Sequence, residues 1–105
     1  MPHDEVFEAM STAFDGGAPV ALATVAQTLG STPRKTGAKM LVREDGSFVG
    51  TIGGGCGEAE VWQEAMDTLE DGAARMVTVD LTEPVDGEDK ICGGIMRIFV
   101  EKLEA

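Results

Sequence analysis

The sequence predicts an α+β fold in which two helices pack against a mixed sheet of about five strands. Two segments have apolar residues at helical spacing, one near the N-terminus and one directly after the glycine-rich run at 53–57. Five short apolar segments, bounded by glycine, proline or acidic residues, predict the strands. The whole chain has 105 residues, which fits one domain around one hydrophobic core.

Both helices have start and stop signals. Residues 4–15 form the first, since Asp4 can cap its start and Gly16-Gly17 can end it. Residues 58–71 form the second, which Gly72 ends. The apolar stripe of the second helix consists of Trp62, Ala65, Met66 and Leu69.

The predicted strands span residues 19–27, 39–43, 47–52, 74–81 and 95–102. The first strand is apolar on both faces, which is typical of a central strand. Asp45-Gly46 lies between the second and third strands and favours a tight hairpin. The long acidic segment 82–92 precedes the last strand, and loops of this length in a small domain are often functional.

The composition limits the classes of function. A net charge of −11 speaks against general binding to nucleic acid or to an anionic membrane. No apolar run reaches the roughly 18 residues of a membrane span, and the N-terminus lacks a signal-peptide pattern. We therefore expect a cytoplasmic protein with Cys56 and Cys92 as free thiols. His3, the only histidine, lies at the terminus, where we expect it to be solvated, so we expect neither a Ser-His-Asp triad nor a zinc site of Cys and His.

The basic residues are unevenly distributed. No Asp or Glu occurs in residues 16–43, and this acid-free segment contains Arg34, Lys35, Lys39 and Arg43, half of all basic residues. An acidic protein that gathers positive charge in one segment is a candidate anion binder. The alternative is that the acidic residues are simply concentrated in the helices and the last loop.

The glycine-rich turn with Cys56 is the strongest functional signal. Gly53, Gly54 and Gly55 let an anionic group approach the backbone, and the following helix N-terminus favours negative charge. A helix N-terminus also lowers the pKa of a cysteine, so Cys56 would become a better nucleophile and a better soft-metal ligand. The alternative is a tight turn in which Cys56 is a small buried residue.

Two further segments can carry chemistry. Residues 30–37 offer hydroxyls such as that of Ser31 and two cations, of which Arg34 can bind a phosphate or carboxylate through two hydrogen bonds. Cys92-Gly93-Gly94 ends the acidic segment and opens the last strand. A solvated loop and a buried core cysteine are the respective alternatives.

Together these segments resemble the N-terminal domain of the XdhC/CoxI family over nearly the whole chain. The resembling residues are Gly30-Ser31-Thr32-Pro33-Arg34, Gly37-Ala38-Lys39-Met40-Leu41-Val42, Gly50-Thr51-Ile52-Gly53-Gly54-Gly55-Cys56 with Glu58, and Cys92-Gly93-Gly94. Family members are accessory proteins of molybdenum hydroxylases such as xanthine dehydrogenase and carbon monoxide dehydrogenase. The resemblance implies a maturation factor that transiently binds the molybdenum–molybdopterin cofactor and assists its sulfuration or its insertion into the apoenzyme.

The resemblance also implies a site and partners. The expected cofactor-binding residues are Ser31, Arg34, Lys35, Gly53, Gly54, Gly55, Cys56, Cys92 and Gly93. Cys56 is the expected molybdenum contact. We expect residues 1–105 to form the single N-terminal domain, without the Rossmann-like C-terminal domain that typical members carry. A homodimer, a cysteine desulfurase or a separate Rossmann-like chain would then assist the site, and the molybdenum hydroxylase apoenzyme would be the client.

Two other functions stay open. The chain can be a thiol-dependent redox or transferase enzyme in which Cys56 is the catalytic group. It can also be an interaction module that docks a partner through its acidic loop.

Overall fold

The structure is a computed structural model that describes residues 4–30, 36–52, 57–80 and 94–104. Its elements are α1 (Asp4–Gly16), β1 (Val20–Leu29), β2 (Lys39–Arg43), β3 (Phe48–Gly50), α2 (Glu58–Asp71), β4 (Arg75–Asp80) and β5 (Ile95–Leu103). The predicted α+β fold with two helices and five strands is confirmed, and the predicted bounds lie within two residues of the observed ones. No helix within the described ranges is both long and apolar enough to cross a bilayer.

The five strands have the order β3-β2-β1-β5-β4, so β1 is central as its apolar sequence predicted. All four pairings between them are antiparallel. The sheet thus differs from the mixed sheet expected from the sequence. The physical reason is the long connection through α2. It joins two strands that run in the same direction, β3 and β4, but these strands lie at opposite edges and do not pair.

The sheet buries a core on each face, because successive side chains of a strand point to opposite sides. The larger core lies under α2 and consists of Ala21, Ala23, Val25, Met40, Val42, Ile52, Val61, Ala65, Val77, Val79, Met96, Ile98 and Val100. On the other face α1 packs against β2 and β3. There Val6 of α1 joins Val20, Leu22 and Leu41 in a smaller core.

The β2–β3 hairpin is built as its sequence predicts. Gly46 has a φ of 89°, which favours glycine, and its N–H donates to the Arg43 carbonyl at 2.9 Å. The Asp45 carboxylate accepts the Ser47 N–H at 2.9 Å and the Ser47 hydroxyl at 2.6 Å, which fixes the turn. These bonds lower the pKa of Asp45.

The far end of α2 is tied to the start of β4. Arg75 pairs with Asp71 and also approaches Glu64 Oε2 at 3.5 Å. The Ala73 N–H, first, and the Arg75 guanidinium, second, lower the pKa of Asp71. Gly72 ends the helix with a φ of 75° and donates its N–H to the Thr68 carbonyl at 2.8 Å. These contacts lie at the opposite end of α2 from its glycine-rich entry, so they serve the fold.

Candidate functional site

All nine residues predicted to bind the cofactor lie outside the described residues. They are Ser31, Arg34, Lys35, Gly53, Gly54, Gly55, Cys56, Cys92 and Gly93. What the structure gives is the position of the residues that flank them. Those flanks decide whether the three predicted segments start and finish near one another.

The flanks of all three segments lie where strands leave or enter the sheet on the same side, which we call the motif end. The strands β1, β3 and β4 finish there at Leu29, Gly50 and Asp80, and β2 and β5 begin there at Lys39 and Ile95. Segments 31–35, 53–56 and 81–93 therefore all connect elements at this end. The alternating strand directions put these motifs on the same side of the sheet, although they are about 20 to 40 residues apart in the sequence. The register staggers them, because Lys39 pairs with Thr24 of β1, five residues or about 17 Å before Leu29. Gly50 pairs with Met40, one residue further back.

Two glycines bring the first and third segments close together. Leu29 of β1 pairs with Ile95 of β5. Gly30 directly follows Leu29 in the chain, and Gly94 directly precedes Ile95. A Cβ atom placed on Gly30 would lie 3.3 Å from the Gly94 Cα, and both residues have positive φ, 78° and 91°. Any larger residue at position 30 would push the two backbones apart. The entrance to segment 31–35 and the exit from segment 81–93 are thus in contact.

Gly50 ends β3 just before the glycine-rich turn, and it has no room for a side chain. Its φ is 86°, and a Cβ atom would lie 2.5 Å from the Lys39 carbonyl oxygen and 2.8 Å from Val6 Cγ2. This glycine allows α1 and β2 to pack closely at the point where the chain turns towards Cys56.

The two sides of the glycine-rich turn are joined by one hydrogen bond. Thr51 Oγ1 donates to Glu58 Oε1, which connects the end of β3 to the first residue of α2 across segment 53–56. Gly57 is the N-cap of α2 in the left-handed conformation, with a φ of 74° and no side-chain cap. The structure therefore holds the ends of the turn together independently of the turn itself.

The first turn of α2 already contains two carboxylates, those of Glu58 and Glu60. They satisfy part of the preference of a helix N-terminus for negative charge. An anion bound at this turn would consequently depend on nearby cations more than on the helix alone.

The described cations of the acid-free segment are divided between two places. Lys39 lies at the motif end, where its Nζ donates to Thr24 Oγ1 at 3.2 Å on the sheet face opposite α2. Arg43 lies at the other end of β2, four residues or about 13 Å away, and contacts Ser47 Oγ at 3.1 Å. Of this pair, only Lys39 lies at the motif end.

A groove beside the start of α2 was not predicted from the sequence. It has a volume of about 410 Å³ and is lined by Met40, Gly46, Phe48, Glu58, Ala59 and Trp62. A larger groove of about 640 Å³ lies along α1 at the hairpin end of the sheet, away from the motif end. Phe48, which is half exposed in an edge strand, is the residue that could have indicated this groove. The residue on the other side, Trp62, is brought there by the tertiary fold, which a sequence pattern does not reveal.

No group of three His, Cys, Asp or Glu side chains is arranged to hold a metal ion within residues 4–30, 36–52, 57–80 and 94–104. The expected molybdenum contact at Cys56 lies outside these ranges and stays a prediction.

Several known proteins resemble this chain, among them the following three. The crystal structure of a xanthine dehydrogenase from Bacillus halodurans at 2.80 Å resolution has a TM-score of 0.78 and 31% identity, covering 93% of this chain and 30% of that chain. The uncharacterized Escherichia coli (strain K12) protein YqeB is 41% identical over 85 residues, 78% of this chain and 15% of YqeB. The molybdenum cofactor insertion chaperone PaoD of the same strain is 30% identical over 103 residues, 98% of this chain and 32% of PaoD. The chain thus spans less than a third of the length of each.

The sequence model of the XdhC and CoxI family matches residues 13–80. This range contains β1 to β4 with α2, and it includes both the 31–35 and the 53–56 segments. The match covers more than half of the chain, and the solved structure shows the same fold at 31% identity. The chain therefore belongs to the XdhC and CoxI family.

Proposed function

We propose that this chain binds the molybdenum cofactor and assists its insertion into a molybdenum hydroxylase. The observation that carries the proposal is that all three motif segments leave the sheet on the same side, with Gly30 and Gly94, which flank two of them, in contact. Its relative PaoD is a molybdenum cofactor insertion chaperone, and its structural neighbour is a xanthine dehydrogenase. We extend this association to the present chain, with xanthine dehydrogenase or carbon monoxide dehydrogenase types as clients.

The residues of the three segments fit the chemistry of this cofactor. Its terminal phosphate suits Arg34 and Lys35 with the Ser31 hydroxyl, because charge-assisted hydrogen bonds bind phosphate well. Its molybdenum and dithiolene sulfur are soft, which suits the thiols of Cys56 and Cys92. Gly53 to Gly55 and Gly93 add no side chain that would obstruct the ligand.

Binding is transient in this proposal, since the cofactor supplies its redox metal to the client enzyme and must leave this chain. The residues here hold, shield and release the group, and a cysteine desulfurase would be the source of sulfur for its sulfuration. The glycine-rich turn with Cys56 is the centre of the site. In this proposal the cofactor is bound and released in the cytoplasm, where the thiols of Cys56 and Cys92 stay reduced.

The proposed assembly is a homodimer or a pair with a separate Rossmann-like chain. A site at the surface end of a small sheet encloses a ligand only when a second surface covers it, and small-ligand sites are common at such interfaces. A homodimer needs one self-complementary patch only. Because the net charge of −11 opposes self-association, the interface should be apolar or use the acid-free segment 16–43, on the side of Lys39 and away from Arg43.

Anaerobic incubation of the full chain with isolated molybdenum cofactor, followed by gel filtration and metal analysis, tests the function. We expect molybdenum to elute with the protein. Arg34→Glu should weaken retention roughly ten- to hundredfold, as expected for the loss of a charged hydrogen bond worth about 1.5–3 kcal/mol. Arg43→Glu is the matched control: it makes the same charge change at the far end of β2 and should leave retention unchanged.

Three outcomes would contradict the proposal. Parent protein that retains no molybdenum, either alone or with a separate Rossmann-like chain added, rules out cofactor binding by this chain. Turnover of a thiol substrate without cofactor retention would identify a Cys56 enzyme instead. Equal losses in Arg34→Glu and Arg43→Glu would show that overall charge, and not the motif end, governs retention.

A further inference from the structure

We propose that the groove beside α2 is a binding site for a flat heteroaromatic ring with N–H donors on one edge, such as the pterin part of the cofactor. This inference rests on the proposed function and deepens it, because it gives one part of the ligand its own residues. The groove lies between the β2–β3 hairpin and the first two turns of α2. Its volume of about 410 Å³ is within the roughly 300–1,000 Å³ typical of small-molecule sites.

The groove exists because neither helix covers this side of β3. Phe48 pairs with Val42, whose side chain belongs to the core under α2, so Phe48 points to the same face of the sheet. Helix α2 packs over β1, β5, β4 and β2, whereas the contacts of β3 are with β2 and α1. Phe48 is consequently 50% exposed although it faces the α2 side. An aromatic ring left half exposed in a groove gives a flat ligand a surface to stack on.

The opposite wall is an aromatic ring held in a fixed position. Trp62 donates its indole N–H to the Gly46 carbonyl oxygen at 2.8 Å. A Cβ atom on Gly46 would lie 3.3 Å from Trp62 Cζ2, so the glycine lets the indole lie close to the hairpin. Met40 is fully buried and adds an apolar surface to the groove. A ring that is already ordered loses little further freedom when a ligand stacks on it.

One charged group lines the groove, the carboxylate of Glu58. The Thr51 hydroxyl donates to its Oε1, which orients the carboxylate at the start of α2. A carboxylate is an acceptor only, so it selects a ring with adjacent N–H donors. The 2-amino-4-oxo edge of a pterin has such donors, whereas an apolar ring does not. Glu58 follows Gly57 directly, so a ring in this groove lies next to the end of the glycine-rich turn in the chain.

The single tryptophan makes the groove directly observable. The chain has one Trp and no Tyr, so its intrinsic fluorescence reports on Trp62. We would titrate the full chain with neopterin, a 2-amino-4-oxo pteridine, and correct for absorbed light with free N-acetyltryptophanamide. We expect saturable quenching. The matched lumazine has the same bicyclic ring and the same 6-trihydroxypropyl side chain as neopterin but an oxygen in place of the 2-amino group, and it should quench with lower affinity.

Two substitutions test the two parts of the groove. Phe48→Ala should weaken neopterin binding about tenfold by removing the stacking surface. Glu58→Gln should weaken neopterin binding about tenfold and change lumazine binding little, because the charged acceptor matters only for the amino edge. Phe7→Ala is the matched control, since it removes another half-exposed Phe (52%) from α1 on the other sheet face and should change neither titration. Phe48→Leu keeps an apolar side chain on β3 if the alanine variant does not fold, and it should also weaken binding.

The outcomes separate this inference from the proposed function. Absence of saturable quenching by neopterin overturns the groove site, as does equal quenching of the parent, Phe48→Ala and Phe48→Leu. An unchanged preference for neopterin over lumazine in Glu58→Gln overturns the role of the carboxylate. If the groove fails but the chain retains molybdenum on gel filtration, the proposed function stands without this site. If neopterin binds as expected but no molybdenum is retained, the groove stands and the proposed function fails.

Discussion

Replacing Gly50 by alanine tests whether close packing at the motif end is a requirement of the fold. Two separate costs arise at this position. A φ of 86° places an L-residue in the left-handed region, which costs about 1–2 kcal/mol. The added Cβ would also lie 2.5 Å from the Lys39 carbonyl oxygen and 2.8 Å from Val6 Cγ2, and overpacking of this kind costs roughly 1–3 kcal/mol.

The two costs together predict that Gly50→Ala lowers the free energy of unfolding by about 2–5 kcal/mol. In a domain of this size the melting temperature should fall by at least about 8 °C. Gly72→Ala is the matched control, because Gly72 has a similar φ of 75° but nothing within 4 Å of its Cβ position. It should show only the conformational cost of about 1–2 kcal/mol.

Urea unfolding followed by Trp62 fluorescence and by circular dichroism would measure both variants. The difference between the two free energies of unfolding gives the steric part alone. If Gly50→Ala costs no more than Gly72→Ala, then α1 and β2 do not press on Gly50, and the described packing at the entry to the glycine-rich turn is wrong.

Three further predictions follow from the structure and the sequence. The buried Thr68 hydroxyl has no hydrogen-bond partner among the described residues, so Thr68→Val should raise the free energy of unfolding by about 1 kcal/mol in urea titrations; a loss would mean the hydroxyl is paired. The pKa of Asp71 is lowered by folding, so its stabilising effect is present above about pH 3.9 and is lost as pH falls through the folded pKa. Asp71→Asn should therefore make the urea midpoint less dependent on pH in the acid range, and an unchanged acid profile would contradict this. Cys56 should be alkylated with a midpoint below roughly pH 8.5 and faster than Cys92, and faster reaction of Cys92 would refute the helix-terminus argument.

The fold could be predicted from the sequence to within two residues at every element boundary, because each boundary has a local cause. Asp45-Gly46 fixes the hairpin and Gly72 ends α2 through its own φ. The strand pairing could not be predicted in the same way. Strand β4 could have paired with β3 in parallel or taken the opposite edge of the sheet, depending on which strands α2 covers. The spacing of apolar residues does not distinguish these two arrangements.

The candidate site, like the fold, could be predicted only where it depends on local sequence and not where it depends on tertiary contacts. Glycine spacing predicted the three segments, and their role as a site stays a prediction. Gly30, Gly50 and Gly57 beside them have positive φ, which any tight turn can require of glycine. The groove was missed because its two aromatic residues are 14 positions apart and belong to different elements, Phe48 in an edge strand and Trp62 in a helix. The sequence predicted Trp62 only as part of an apolar stripe. Its hydrogen bond to the hairpin carbonyl is a tertiary contact that no spacing rule anticipates.

Under the proposed function, the charge distribution bears on how this chain would hold an anionic ligand and still release it. A net charge of −11 repels anions at long range, and the first turn of α2 adds two carboxylates beside the glycine-rich turn. Attraction for a phosphate must therefore come from short-range contacts with a few cations, of which Arg34 and Lys35 are the predicted ones. Such contacts act within roughly 8 Å at physiological ionic strength, so a ligand that moves away meets no attractive field to bring it back. Short-range capture within a repulsive field favours brief retention, which is what a protein that passes its ligand to a partner requires.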